Sequence, residues 1–164
     1  MFVLGIDPGL TATGYGIIEA ASGRERAVVA GAIRTDPAQT VAQRLLELER
    51  DLTELVAEHS IESAGVERVF VNRNLQTAMS VARASGVVLL ILARAGIPVV
   101  EYTPSGVKMA LTGNGRAPKD QMQRVVAMRL GLAAPPAPAD AADALAVALC
   151  HLQHAPAVRA GVIT

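Results

Sequence analysis

The sequence has one cysteine, no tryptophan, two phenylalanines, two tyrosines and no net charge. A single cysteine, Cys150, excludes a disulfide framework and a cysteine-based zinc site. Its expected part is that of a small apolar side chain on the last helix. No basic segment precedes the first apolar run, so no signal peptide is expected. The longest uncharged apolar run, Ala84 to Ala93 between Arg83 and Arg94, is about half a membrane span. No internal repeat is visible. These absences point to a soluble, cytoplasmic protein with no membrane partner.

What is present is a globular composition. Half of the 164 residues are hydrophobic, enough for one domain with a core that needs no staples. Residues 1–154 read as that domain and 155–164 as a frayed tail. The zero net charge conceals a gradient. Residues 1–66 carry five basic and ten acidic side chains, a balance of −5. Residues 67–130 carry nine against three, or +6, and residues 131–164 one against two. A basic middle segment is a modest footprint for a polyanion such as nucleic acid.

The chain opens on "VLGIDPGLTATGYGII". Val3, Leu4 and Ile6 read as one strand and Tyr15, Ile17 and Ile18 as a second, joined by a wide turn from Gly9 to Gly14. Asp7 therefore stands where a strand surfaces. The glycines would let a bulky anion approach the main chain; alternatively they only supply positive φ to the turn, whose amides Asp7 bonds. Arg26 to Arg34 reads as a third strand and completes an antiparallel meander. Gln39 to His59 shows helical periodicity, Ile61 to Val66 is a strand that delivers Glu67, and Asn74 to Ala95 is a long apolar helix. That helix is either core or the seam between two subunits. Ile97 to Tyr102 is a fifth strand. Helices follow at Ser105 to Leu111, Asp120 to Leu130 and Ala139 to Gln153. The order βββαβαβααα predicts an α/β fold, a five-stranded mixed sheet with its first three strands antiparallel and helices on both faces. Sites in such sheets lie beyond strand ends.

Asp7 and Glu67 occupy two of those ends. "PADAADALAVALCH" adds Asp140 and Asp143, one turn apart on one helix face. Acids in a first helical turn also serve as caps, which is the rival explanation for that pair. Four carboxylates from three separated segments would repel one another with no lysine or arginine close by. Divalent cations resolve the conflict, and hard oxygen donors suit Mg2+ or Mn2+. Two such ions form a clamp for in-line displacement at a phosphodiester.

Three segments, "GIDPGLTATGYG", "GVERVFVNRN" and "DAADALAVA", resemble in order the signature segments of the RuvC family of bacterial Holliday junction resolvases. The likeness runs over roughly residues 1–154. It implies an RNase H-like fold, a homodimer, and cleavage of four-way junction DNA with two Mg2+ per site. Cuts would leave 5′-phosphate and 3′-hydroxyl ends, in recombination and repair, alongside the RuvA–RuvB branch-migration complex. The family's catalytic and metal-binding positions fall on Asp7, Glu67, Asp140 and Asp143; some relatives have histidine at the position of Asp140. The resemblance also makes Lys108 and Lys119 DNA contacts and places Phe70 as a stacking residue at the junction point, against the plainer reading of Phe70 as a core aromatic. Arg68, Arg73, Arg83, Arg116 and Lys119 could contact phosphates, although each could equally be a solvated surface charge. His59, His151 and His154 share no spacing with the acids and read as surface residues. Three rivals stand beside the resolvase: half of an actin-like ATPase, a silent junction-binding module, and a nuclease for RNA or RNA–DNA hybrids. The length and the four intact acids argue against the first two. Only the family-specific segments argue against the third.

Overall fold

The computed structural model of the chain describes the backbone of residues 1–68 and 75–159, and side chains as far as residue 154. Five strands form one sheet in the order β3-β2-β1-β4-β5. β1 (Phe2–Asp7), β2 (Ala12–Ala21) and β3 (Arg24–Arg34) are the antiparallel meander. β4 (Ser63–Glu67) and β5 (Val99–Tyr102) add in parallel on the other side of β1. α1 (Val41–Glu58) and α2 (Leu75–Arg94) cover one face, where Leu48, Leu52, Val88 and Leu92 pack with Leu4, Ile6, Ile17 and Val66. α3 (Pro104–Thr112), α4 (Lys119–Arg129) and α5 (Ala139–Arg159) cover the other, where Val107, Val126, Leu145 and Leu149 pack with Val3, Ile18 and Val100. The expected α/β architecture with helices on both faces is the one observed.

Element ends move for local reasons. α1 begins two residues later than its periodicity suggests, because Thr40 closes its first turn. The Thr40 hydroxyl accepts from the Gln43 N–H, and the Gln43 side chain accepts from the Thr40 N–H. Thr103 caps α3 in the same way through the Gly106 N–H, with Pro104 as the first helical residue. α5 continues to Arg159, through Pro156, so residues 155–159 are helical where a frayed tail was expected.

The opening glycines need a correction. Gly14 is not in a turn but within β2, as the register partner of Asp7. Neither it nor Gly16 has a positive φ. What they provide is room. A Cβ on Gly5 would stand 2.1 Å from the Ala144 carbonyl oxygen, one on Gly14 2.2 Å from that of Asp140, and one on Gly16 2.7 Å from the Leu145 side chain. Gly5, Gly14 and Gly16 make room for α5. The close approach sets the first turn of α5 directly over the end of β1.

His151 also departs from expectation. It is fully buried, with Nδ1 2.8 Å from the Tyr102 hydroxyl. Burial lowers its pKa to about 4 and leaves it neutral. His59 and His154 are half-buried, each with a ring nitrogen against the carbonyl four residues earlier. Cys150 is a buried core residue, its thiol pushed up to about 11.

Candidate active site

The strand ends converge. β1 and β4 are neighbours in register through Ile6 and Val66, so Asp7 and Glu67, each one residue further, leave adjacent strands at the same end of the sheet. Strands that pair lie about 4.8 Å apart, which makes these two carboxylates close neighbours. Asp143 comes down onto them from α5. Together with Lys108, Lys119 and Met122, the three acids line a cleft of about 220 Å³. Asp140 sits one turn earlier on α5. It does not line the cleft, and its charge still acts on Asp7.

The electrostatics of the cleft are unfavourable to four bare carboxylates. The Asp7 pKa is raised from 3.8 to about 6, by burial first and then by the charges of Asp143 and Asp140, against the pull of Lys119. Glu67 is likewise raised from 4.5 to about 7, by burial first and then by Asp7 and Asp143, with Lys108 and Lys119 opposing. Near neutral pH the strand-end pair is thus poised to hold a proton that a cation would displace.

Lysine and arginine are close by, so the helix acids are not without counter-charges. Lys119 Nζ lies 2.8 Å from Asp143 Oδ2, and Arg34 Nη2 lies 3.4 Å from Asp140 Oδ2. Among the described residues, no three acidic, histidine or cysteine side chains converge closely enough to hold a metal ion as they stand. Lys119 holds one of the two Asp143 oxygens. The donor set nonetheless fits a hard divalent cation: all oxygen, anionic, on rigid strand ends and one helix face.

The capping explanation for the helix acids is not supported by their contacts. In the described hydrogen bonds, Asp140 and Asp143 meet Arg34 and Lys119, not backbone N–H groups. Lys119 opens α4 at the helix N-terminus, where a cation opposes the macrodipole. Its favourable contact is the carboxylate across the cleft.

Of the expected DNA-binding residues, Lys108 and Lys119 line the cleft. Arg68 and Arg116 are exposed and do not line it; the Arg68 N–H donates to the Tyr102 carbonyl and the Arg116 N–H to Asn114 Oδ1. Phe70 and Arg73 lie outside the described residues. Arg83 is exposed on α2. Arg34 was missed in the sequence. It is separated from Asp140 by 106 positions, and only the sheet order brings it to the site.

The comparisons agree with this geometry. The family model described as crossover junction endodeoxyribonuclease RuvC matches residues 3–151. The protein of that name from Salinispora arenicola is 55% identical over 153 residues, covering 93% of this chain and 87% of the relative. Its counterpart from Moorella thermoacetica is 48% identical over 156 residues, covering 95% and 93%. A solved structure of Thermus thermophilus RuvC in complex with a Holliday junction substrate is similar with a TM-score of 0.90 at 34% identity, over 100% of this chain and 98% of the other. The yeast mitochondrial Holliday junction resolvase, at 12% identity and a TM-score of 0.65, shares the fold. With three acids from separated segments in one cleft, the fourth a turn away, and a family match over nearly the whole length, this chain belongs to the RuvC family of crossover junction endodeoxyribonucleases.

Proposed function

We propose that this protein resolves four-way DNA junctions by metal-dependent hydrolysis of a phosphodiester in each of two strands. One observation carries the reading: Asp7, Glu67 and Asp143, from three separated segments, share a single cleft with two lysines. In this reading residues 1–154 are the nuclease domain. Asp7, Glu67, Asp143 and Asp140 hold the divalent cations, Mg2+ in preference and Mn2+ as a substitute. Such a pair, when bound, polarises the phosphate and stabilises the attacking and leaving oxygens. Lys119 gives up Asp143 for the phosphate backbone, and Lys108 contacts the same strand. Phe70 stacks on an unpaired base, and Arg68, Arg73 and Arg116 take flanking phosphates. The products carry 5′-phosphate and 3′-hydroxyl ends.

The junction has two-fold symmetry, which a C2 dimer matches with two identical sites. α2 offers the seam. Its Ala84, Val88 and Ile91 are buried, whereas Leu75, Met79, Gly86 and Leu90 are exposed, at steps of four, seven and four residues that keep them on one stripe. By length and composition α2 could cross a membrane; here its buried residues pack with α1 and the sheet instead. A cytoplasmic setting and cooperation with the RuvA–RuvB branch-migration complex complete the proposal.

The test presents a synthetic four-way junction, a linear duplex and an RNA–DNA hybrid of matched sequence, each with Mg2+. Paired symmetric nicks in the junction alone, sealed directly by ligase, are expected. Cleavage of the hybrid with the junction intact would replace the resolvase reading with that of an RNase.

A further inference from the structure

The cations that line the cleft, Lys108 and Lys119, come from α3 and α4, the helices that follow β5. A strand whose reacting phosphate lies over Asp7 must also leave on the other side, toward β3. Two arginines stand there. Arg34 ends β3 at the same end of the sheet as Asp7, since Ala12 pairs with Arg34 while Gly14 pairs with both Ala32 and Asp7. β3 is two strand spacings from β1, about 10 Å away. Arg44, in the second turn of α1, reaches the same corner. Its Nε donates to the Thr35 hydroxyl and its Nη2 to the Thr11 hydroxyl, each at 2.9 Å.

Neither guanidinium is committed to a strong partner. The Arg34–Asp140 pair is long, at 3.4 Å, and the arginine side chain is 60% exposed. Such a pair contributes little, so Arg34 loses little by turning to a phosphate. Arg44 is half-buried, bonds two neutral hydroxyls, and has no ion pair among the described residues. Thr11, exposed in the loop that follows Asp7, is held by Arg44 and presents its hydroxyl beside it. A planar guanidinium fixed at two points, a second one free to swing, and a hydroxyl between them suit a backbone phosphate.

We propose that Arg34, Arg44 and Thr11 form a second phosphate-binding rim, across the cleft from Lys108 and Lys119, which holds the backbone of the DNA strand where it leaves Asp7 toward β3. The rim rests on the nuclease reading of the cleft. It makes the site a channel with a basic wall on each side of the acids, and it lies within the segment of the chain whose overall charge is negative.

The test is equilibrium binding of a labelled four-way junction in chelator, where no cutting occurs, across a range of salt. Arg34→Ala and Arg44→Gln should each reduce the magnitude of the log K against log salt slope by about one, and the double variant by about two. Affinity should fall several-fold at low salt and approach wild type as salt rises. Melting temperature is read alongside, because Arg44 also fixes a loop; if Arg44→Gln is unstable, Arg34→Ala decides alone. Unchanged slopes would overturn the rim. So would full restoration of Arg34→Ala binding by Asp140→Asn, which would mean that Arg34 only neutralises its partner. The same titration on linear duplex separates the two readings: a wild-type protein that does not prefer the junction refutes the resolvase, while the slopes still judge the rim on either DNA.

Discussion

At the scale of single residues, the function turns on charge at the ends of strands. Asp7→Asn keeps the shape of the side chain at the end of β1 and removes the charge proposed to hold a hard cation, for which a neutral amide oxygen is a poorer ligand. Cleavage should fall by several orders of magnitude, because loss of metal stabilisation costs several kcal/mol of barrier. Junction binding should hold or improve, since one negative charge facing the phosphates is gone. Gel shift in chelator followed by a Mg2+ chase reads both quantities. Near-wild-type cutting by Asp7→Asn would return Asp7 to the turn. The four acids were legible in the sequence because each ends a strand or lies on a patterned helix. Arg34 was not, because no local pattern distinguishes a strand-end arginine that meets an acid 106 positions away from one that meets water.

At the scale of elements, α5 is the part on which the site depends. It rests on Gly5, Gly14 and Gly16, where a single methyl group would meet backbone carbonyls at Gly5 and Gly14 and the Leu145 side chain at Gly16. Gly5→Ala or Gly14→Ala should force α5 outward, destabilising the fold by about 1–3 kcal/mol, as overpacking does. Gly14→Ala moves the turn that carries Asp140, so its Mg2+ midpoint for cutting should rise as well. Thermal melts and metal titrations check the two effects, and unchanged values for Gly14→Ala would mean that α5 is not seated there. α2 carries a different prediction. A Cβ on Gly86 meets nothing within its own chain, so Gly86→Arg should fold normally. If α2 forms the dimer seam, that variant should be monomeric in light scattering at concentrations where the wild type is a dimer. The sequence showed that α2 is apolar nearly all round. Only packing showed which face its own core uses and which stripe it leaves exposed.

At the scale of the whole molecule, three shifted groups set the acid response of the metal-free protein. Asp7 and Glu67 have folded pKa values near 6 and 7, above their ordinary 3.8 and 4.5. The folded state therefore binds more protons than the unfolded chain, and this contribution to stability is present at low pH and lost as pH rises through 6 to 7. His151 has the opposite sign. Its folded value of about 4 lies below the ordinary 6.5, so its contribution is present above 6.5 and lost as pH falls toward 4. Two groups outweigh one, and in chelator the wild type should gain stability between pH 7 and pH 5. The Asp7→Asn/Glu67→Gln variant should lose stability over the same window, by on the order of 2 kcal/mol toward pH 4, with His151 as the cause. Tm against pH for both proteins is the measurement. A falling wild-type curve would show that the carboxyls are not raised by burial.

By itself the sequence determined the order of elements and singled out four acids as site candidates, because hydrophobic periodicity and strand-end position are local properties of the chain. It also carried the family resemblance in three segments. Tertiary structure decided the rest. The glycines of the first hairpin turned out to seat a helix from the far end of the chain, a contact that no local spacing encodes. His151 was buried by its partnership with Tyr102 across 49 positions. Lys119 and Arg34 became counter-charges to the helix acids because sheet order, set by long-range pairing, brings α4 and β3 to one end of α5. Which charges meet is a property of topology, and topology is fixed by contacts between residues far apart in the chain.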